Sequence, residues 1–312
     1  MRKVTRAVVR RHPENPILTR EDFPEEVSAV YNSGCTKYND KYILACRVNL
    51  LRQSSVIWLA DSDDGVHFKV RPEPALTCET PEIREFSGHV IYDPRITHMA
   101  AEGRYLFTLA CHGEQGCRSA LFETADWRTL RFFDWLGEPD NRNMVIFPEK
   151  IGGMYCRLDR PNIPGRGKGD IWISYSPDLH FWGRSRPVLR AAECGLFCHG
   201  GLGPGSVPYK TKEGWLVLWH GVMQSAGSCW YTLAAMLLDL DDPSKVVART
   251  ENPILQPQAR YERHGLVPNV VFCCGAVYEP DGSAKIYYGA GDDVQCLATG
   301  TVDDLIYACK YF

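Results

Sequence analysis

Asp93 is the residue of this chain best set to do acid–base chemistry, within Gly88-His-Val-Ile-Tyr-Asp-Pro-Arg-Ile-Thr97. The run His89 to Tyr92 predicts a short strand. Pro94 predicts its end, because proline has no N–H for a ladder and biases the preceding residue towards extended backbone. Asp93 is then expected at a strand end, beside Tyr92 and Arg95. A carboxyl group flanked by a phenol and a guanidinium can hold or move a proton on a polar substrate. The same residues also make an ordinary Asp–Arg pair closing a turn, so the segment acquires meaning only from the elements that must position it.

Those elements read as strands. Tyr42 to Val48, Ser55 to Ala60, Tyr105 to Cys111, Ile171 to Tyr175, Gly214 to His220 and Lys285 to Ala290 are short and rich in aromatic and β-branched residues. Gly, Pro, Asp or Asn bounds each, and few stretches carry a helical period. The fold class is all-β. A weak repeat refines it: a strand, Ser/Thr-x-Asp, a turn, then an aromatic residue opening the next strand. Asp63, Asp126 and Asp178 mark three copies, roughly 50 to 65 residues apart, the length of a four-stranded propeller blade with its loops. Dividing 312 residues by that period predicts about five blades and one propeller domain over 1–312. Common turn chemistry could produce the same repeat by coincidence. In a propeller the loops converge on a central funnel, and polar motifs do recur about once per blade: Tyr31-Asn-Ser33, Arg47 to Arg52, Tyr92 to Arg95, Asn141-Arg-Asn143, Leu158 to Pro161, His220-Gly221 and Gly289 to Asp293.

Composition excludes more than it selects. A net charge of -3 with dispersed Lys and Arg gives no field for nucleic acid. No run of about 18 apolar residues predicts a membrane span, and the first residues have no signal-peptide core, so a cytoplasmic location is expected. The 13 cysteines form no Cys-x-x-Cys; reduced, mostly buried thiols and no structural metal are expected. The 8 Trp and 15 Tyr suit sugar binding and β-sheet cores equally.

Longer segments carry a resemblance. Asn15-Pro-Ile-Leu18, Asp93-Pro-Arg-Ile-Thr97, Phe147-Pro-Glu-Lys-Ile-Gly-Gly153, Arg160-Pro161, Gly214 to Gly221, Leu237 to Thr250, Val267 to Phe272 and Tyr287 to Ala290 resemble glycoside hydrolase family 130, the β-mannoside phosphorylases and related β-mannosidases. The resemblance covers almost the whole chain and implies a five-bladed β-propeller. It also implies an inverting phosphorylase that cleaves β-mannosides with inorganic phosphate to α-mannose 1-phosphate, with no other cofactor. Most inverting glycosidases need two carboxyl groups. Phosphate is already an anionic nucleophile, so a phosphorylase needs one acid and a set of cations. The resemblance makes Asp93 the acid, delivering its proton through the mannosyl 3-hydroxyl. It assigns Arg142, Asn143, Arg160, His220 and Tyr231 to phosphate, with Arg52 reaching the same region. It assigns Asn32, Ser33, Arg47, Tyr92 and Asp292 to the sugar. The expected partners are a β-mannoside oligosaccharide and phosphate, with neither nucleic acid nor membrane, and a homo-oligomer is left open.

One departure bears on the reaction. Many phosphorylases of the family carry a phosphate-facing lysine where this chain has Gly201, in His199-Gly-Gly-Leu-Gly-Pro-Gly-Ser-Val-Pro208. His199 is the substitute that the sequence offers, and Lys210 lies too far along. Two rivals therefore stay open: a β-mannosidase on the same scaffold, with a carboxylate activating water, and a non-catalytic carbohydrate-binding propeller. Retention of Arg142, Arg160 and His220 favours phosphorolysis.

Overall fold

The computed structural model describes residues 7–24, 26–52, 54–86, 88, 90–162, 169–225 and 227–311. Its strands form five antiparallel sheets arranged as the blades of a β-propeller. The amino-terminal strand β1 (Val9–Arg11) is followed by blade 1: β2 (Val27–Tyr38), β3 (Lys41–Leu50), β4 (Ser55–Ser62) and β5 (Lys69–Leu76). Blade 2 holds β6 (Val90–Met99), β7 (Arg104–Gly113), β8 (Gly116–Thr124) and β9 (Arg131–Leu136). Blade 3 holds β10 (Asn141–Ile146), β11 (Tyr155–Pro161), β12 (Ile171–Ser176) and β13 (Gly183–Leu189). Blade 4 holds β14 (Leu202–Pro204), β15 (Tyr209–Lys210), β16 (Trp215–Ser225), β17 (Ser228–Leu238) and β18 (Val246–Arg249). Blade 5 holds β19 (Val271–Tyr278), β20 (Ser283–Ala290) and β21 (Val294–Thr301), and β1 supplies its outer strand. All six strands expected from composition are present.

Alternation along each strand feeds two different cores. On β16, Trp215, Val217 and Trp219 pack towards blade 3, while Leu216 and Leu218 pack towards blade 5. Period-two alternation of apolar residues on both faces is what a blade stacked between neighbours requires. The repeat has a structural cause. Ser62, Thr124 and Ser176 end the third strands of blades 1, 2 and 3, and each hydroxyl accepts the N–H three residues on, at Gly65, Trp127 and Leu179. The aspartate two residues after each hydroxyl then accepts from the backbone beyond it. In blade 1 this aspartate is Asp64, which corrects the expected Asp63 by one position. Blade 5 keeps the hydroxyl bond, with Thr301 at the end of β21 accepting the Asp304 N–H, but its outer strand comes from the amino terminus.

That closure is pinned by a buried carboxylate. Glu262 accepts two bonds from Arg11, at 2.7 and 2.8 Å, one from the Tyr288 hydroxyl, and the N–H groups of Gln258 and Ala259. Glu262→Ala is expected to cost about 3 kcal/mol, because Arg11 loses its carboxylate and the Tyr288 hydroxyl and the Gln258 and Ala259 N–H groups lose this acceptor. A lowered urea midpoint at unchanged m-value is the readout. The 13 cysteines are free thiols, 11 of them buried. No helix of the described residues is long and apolar enough to cross a membrane.

Candidate active site

The innermost strands of blades 1, 2 and 3 carry the same irregularity. Each has a bulge in which two residues oppose one on the next strand: Asn32-Ser33 in β2, Asp93-Pro94 in β6 and Asn143-Met144 in β10. The first residue of each pair lies in the left-handed region, at φ 50°, 53° and 60°. Asn and Asp tolerate that conformation better than other side chains, and a bulge re-aims the residue it carries. The expectation that Pro94 ends the strand is therefore corrected: β6 continues to Met99, because the bulge absorbs the missing N–H. His89 lies outside the described residues.

Asp93 is buried at 7 % exposure. Its Oδ1 accepts from Asn32 Nδ2 at 3.0 Å and from Arg47 Nη1 at 3.3 Å. No described residue donates to Oδ2. Arg47 lies between two phenol rings, 4.4 Å from the Tyr31 centroid and 5.0 Å from that of Tyr92. This sandwich helps to fix the guanidinium. Asp292, in the turn between β20 and β21, acts electrostatically on Arg47 and Tyr31. The Tyr92 hydroxyl lies 3.1 Å from the Cys117 thiol, and burial pushes it above the usual phenol range. Gly289 allows the close approach of Asn32, whose Oδ1 would stand 2.1 Å from a Cβ there.

Arg95 does not pair with the Asp93 carboxylate, as the ion-pair reading of the sequence allowed. Its buried guanidinium donates instead to the carbonyls of Asp93 (2.8 Å), Gly205 (2.9 Å) and Pro204 (3.3 Å), bracing blade 2 against blade 4. The bulge turns the two side chains apart, leaving backbone oxygens as the acceptors within reach.

The cations gather on blades 3 and 4. Arg142 and Arg160 are direct cross-strand partners on β10 and β11. Like charges placed opposite one another destabilise a sheet. Arg142 has a carboxylate nearby, Asp140 Oδ1 at 3.4 Å. Arg160 forms no salt bridge among the described residues; its Nη1 donates to His220 Nε2 at 3.1 Å. Burial, reinforced by the Arg142 charge, lowers the Arg160 guanidinium to about 10. The Asn143 amide is 2 % exposed, and neither of its polar atoms has a hydrogen-bond partner among the described residues. Tyr231 packs beside His220, with ring centroids 6.1 Å apart. A buried set of donors with this surplus of positive charge has the form of a site for a compact anion. The Asp93 charge also acts on both Arg142 and Arg160. Acid and cations thus share one funnel, on different blades.

Most of the residues picked from the sequence converge there, with two exceptions. Ser33 is fully buried, its N–H donating to Gln295 Oε1 and its hydroxyl beside the Cys46 thiol, so it holds the bulge. Arg52 stands exposed in the turn after β3. Tyr31 and Gln295 support the site and were not picked individually, although Tyr31 lies inside a motif that was; Arg95 was named only as a neighbour of Asp93. No group of three or more His, Cys, Asp or Glu among the described residues could hold a metal ion.

Comparison with known proteins decides the family. The sequence profile of family 130, described as β-1,4-mannooligosaccharide phosphorylase, matches residues 4–311. The chain belongs to glycoside hydrolase family 130. A β-1,2-mannobiose phosphorylase of Listeria innocua is 39% identical over 242 residues, 78% of this chain and 65% of that protein. A β-1,4-mannooligosaccharide phosphorylase of Ruminococcus albus is 33% identical over 96% of this chain and 90% of its own length. The solved structure of the Listeria innocua β-1,2-mannobiose phosphorylase with β-1,2-mannobiose superposes with a TM-score of 0.87 at 30% identity, covering 96% of this chain and 99% of that one.

Within this family the Gly201 position gains a structural reading. Gly201 has φ 129°, a backbone conformation that side chains rarely adopt, so a lysine at this position would be strained. The exposed His199 directs Nδ1 to the Leu196 carbonyl at 2.7 Å. Lys210 pairs with Glu149.

Proposed function

We propose that this family 130 enzyme is an inverting β-mannoside phosphorylase. The observation that carries this reading is the cross-strand Arg142–Arg160 pair, in which a buried guanidinium has no carboxylate salt bridge among the described residues. Phosphate would neutralise both cations and fill the donor set of Asn143, His220 and Tyr231. Asp93, on the adjoining blade and steered by Asn32 and Arg47, serves as the acid. Phosphate oxygen forms a bond to C1 of the mannosyl unit as the bond from C1 to the glycosidic oxygen breaks. The electron pair of that bond stays on the leaving oxygen, which receives the Asp93 proton through the mannosyl 3-hydroxyl. The product is α-mannose 1-phosphate, and the reverse reaction builds a β-mannoside.

A hydrolase would need a carboxylate free to activate water. The carboxylate beside Arg142 is Asp140, which is already engaged by the Cys117 N–H, Asn162 Nδ2 and Arg142. That engagement favours phosphate as the nucleophile. The deciding assay incubates the protein with β-1,2- and β-1,4-mannobiose, with and without millimolar phosphate, and measures mannose 1-phosphate. Phosphate-dependent product supports the reading, and free mannose released at the same rate without phosphate would replace it with hydrolysis. The linkage cleaved faster identifies the substrate.

Asn143 offers a narrower test. Glycine accepts its positive φ, so Asn143→Gly removes the amide without backbone strain. The variant is expected to raise KM for phosphate about 5- to 10-fold, the value of roughly one hydrogen bond. KM for the mannoside should stay near the parent value.

A further inference from the structure

The five blade interfaces are not filled alike. Four of them hold buried apolar clusters of 15 to 18 residues, whereas the cluster between blades 2 and 3 holds eight: Met99, Leu106, Leu121, Leu136, Met144, Ile146, Tyr155 and Leu179. The remainder of that interface is a cleft of about 710 Å³, within the ~300–1,000 Å³ range of small-molecule sites. Its blade 3 wall is built by alternation, with Arg157, Asp159 and Pro161 from β11 and Trp172 and Ser174 from β12. Trp135 on blade 2 and Phe181 and Trp182 in the turn before β13 add further rings, and Phe181 is 77 % exposed.

The polar groups of this wall are expensive to bury and incompletely used. Arg157 and Asp159 pair at 3.1 Å, 4% and 3% exposed. Burial lowers the arginine's proton affinity and raises the aspartate's, and the pair offsets only part of that cost. Arg157 Nη1 and Trp172 Nε1 have no hydrogen-bond partner among the described residues. Arg118 and Arg157 face Glu138, Asp140 and Asp159, so no positive surplus calls for an anion. Aromatic faces beside both donors and acceptors, with no excess of cations, suit a neutral polyhydroxylated ligand.

One residue links the cleft to the phosphate-side cations. Asp140 lines the cleft and is bonded to Arg142, the residue placed at phosphate. Strand direction carries it from the funnel mouth, at Pro161, towards the far end of the blade at Phe181. The seven residues of β11 span about 23 Å at ~3.3 Å each.

We infer that the blade 2–blade 3 cleft binds the distal sugar units of an oligosaccharide whose reacting end occupies the funnel. This rests on the mannoside reading above and adds a chain-length preference to it. The test is calorimetric titration of the phosphate-free protein with β-1,2- and β-1,4-mannooligosaccharides of two to six units, alongside phosphorolysis rates. Affinity is expected to rise at least about tenfold from two to six units in one linkage series. Phe181→Ala and Trp172→Ala should each remove most of that rise while mannobiose turnover stays within about twofold. Phe181 is exposed, so its variant remains informative if Trp172→Ala folds poorly. A flat affinity across chain lengths, or a rise that survives in Phe181→Ala and in every folded Trp172 variant, overturns the inference. Failure of the mannoside reading shows separately, as absence of mannobiose turnover in the parent protein.

Discussion

Asp93→Asn is expected to lower kcat/KM for β-mannobiose phosphorolysis about 10³-fold, within the 10²–10⁴ range of a positioned general acid. That factor corresponds to about 4 kcal/mol of transition-state stabilisation. Asparagine is nearly isosteric and tolerates φ 53°. Its carbonyl oxygen can still accept from Asn32 and Arg47, so the fold is kept, at some loss of thermal stability because Arg47 loses its paired carboxylate. The loss is then assignable to the proton. An aryl β-mannoside with an acidic leaving group needs no protonation as its bond breaks, and the variant should keep far more of its rate on that substrate. A loss below about tenfold on mannobiose, or an equal loss on both substrates, would remove Asp93 from the role of acid.

Arg160→Met separates function from stability. A buried guanidinium beside a second one, with no carboxylate salt bridge among the described residues, is held at a cost to the fold. Methionine of similar length is expected to leave the ligand-free protein as stable or up to about 3 kcal/mol more so. Phosphate-dependent activity should fall roughly 100-fold or more, the value of one or two charge-assisted hydrogen bonds. Phosphate at 100 times its Kd stabilises a binding protein by about 2.7 kcal/mol, and Arg160→Met should lose that thermal shift. A variant that melts several degrees lower and keeps its phosphate response would make Arg160 a structural residue.

The same group sets an alkaline limit. Its native proton affinity is depressed to about 10 by burial and then by Arg142. As pH rises through 10 the cation is lost and phosphate affinity should fall, with a limb absent from Arg160→Met. The stability effect has the opposite sign. The unfolded chain holds this proton more tightly, so the burial cost is fully present below pH 10 and is relieved as pH rises above it.

The closure at Glu262 and the acid at Asp93 show how unevenly the sequence discloses its parts. Strands such as Gly214 to His220 were legible because β-branched and aromatic residues bounded by turn formers have few other uses. The Ser/Thr-x-Asp turn was legible because its hydrogen bonds are local, closing within three residues. Arg95 was not, since its acceptors at Pro204 and Gly205 lie more than 100 positions away. The three bulges were hidden for a related reason. Asn32, Asp93 and Asn143 share no local signature, and a bulge exists only relative to the strand opposite it.

The sequence by itself determined the strand content, the blade period and the polar motifs from which the proposed acid and cations are drawn. These follow from local propensity, turn chemistry and side-chain identity, all carried by neighbouring residues. Tertiary structure alone decided that Asp93 bonds Asn32 and Arg47 instead of Arg95, that Arg142 faces Arg160, and that the interface between blades 2 and 3 opens into a cleft. Each of those depends on register between distant strands, where a one-residue shift sends every side chain to the other face.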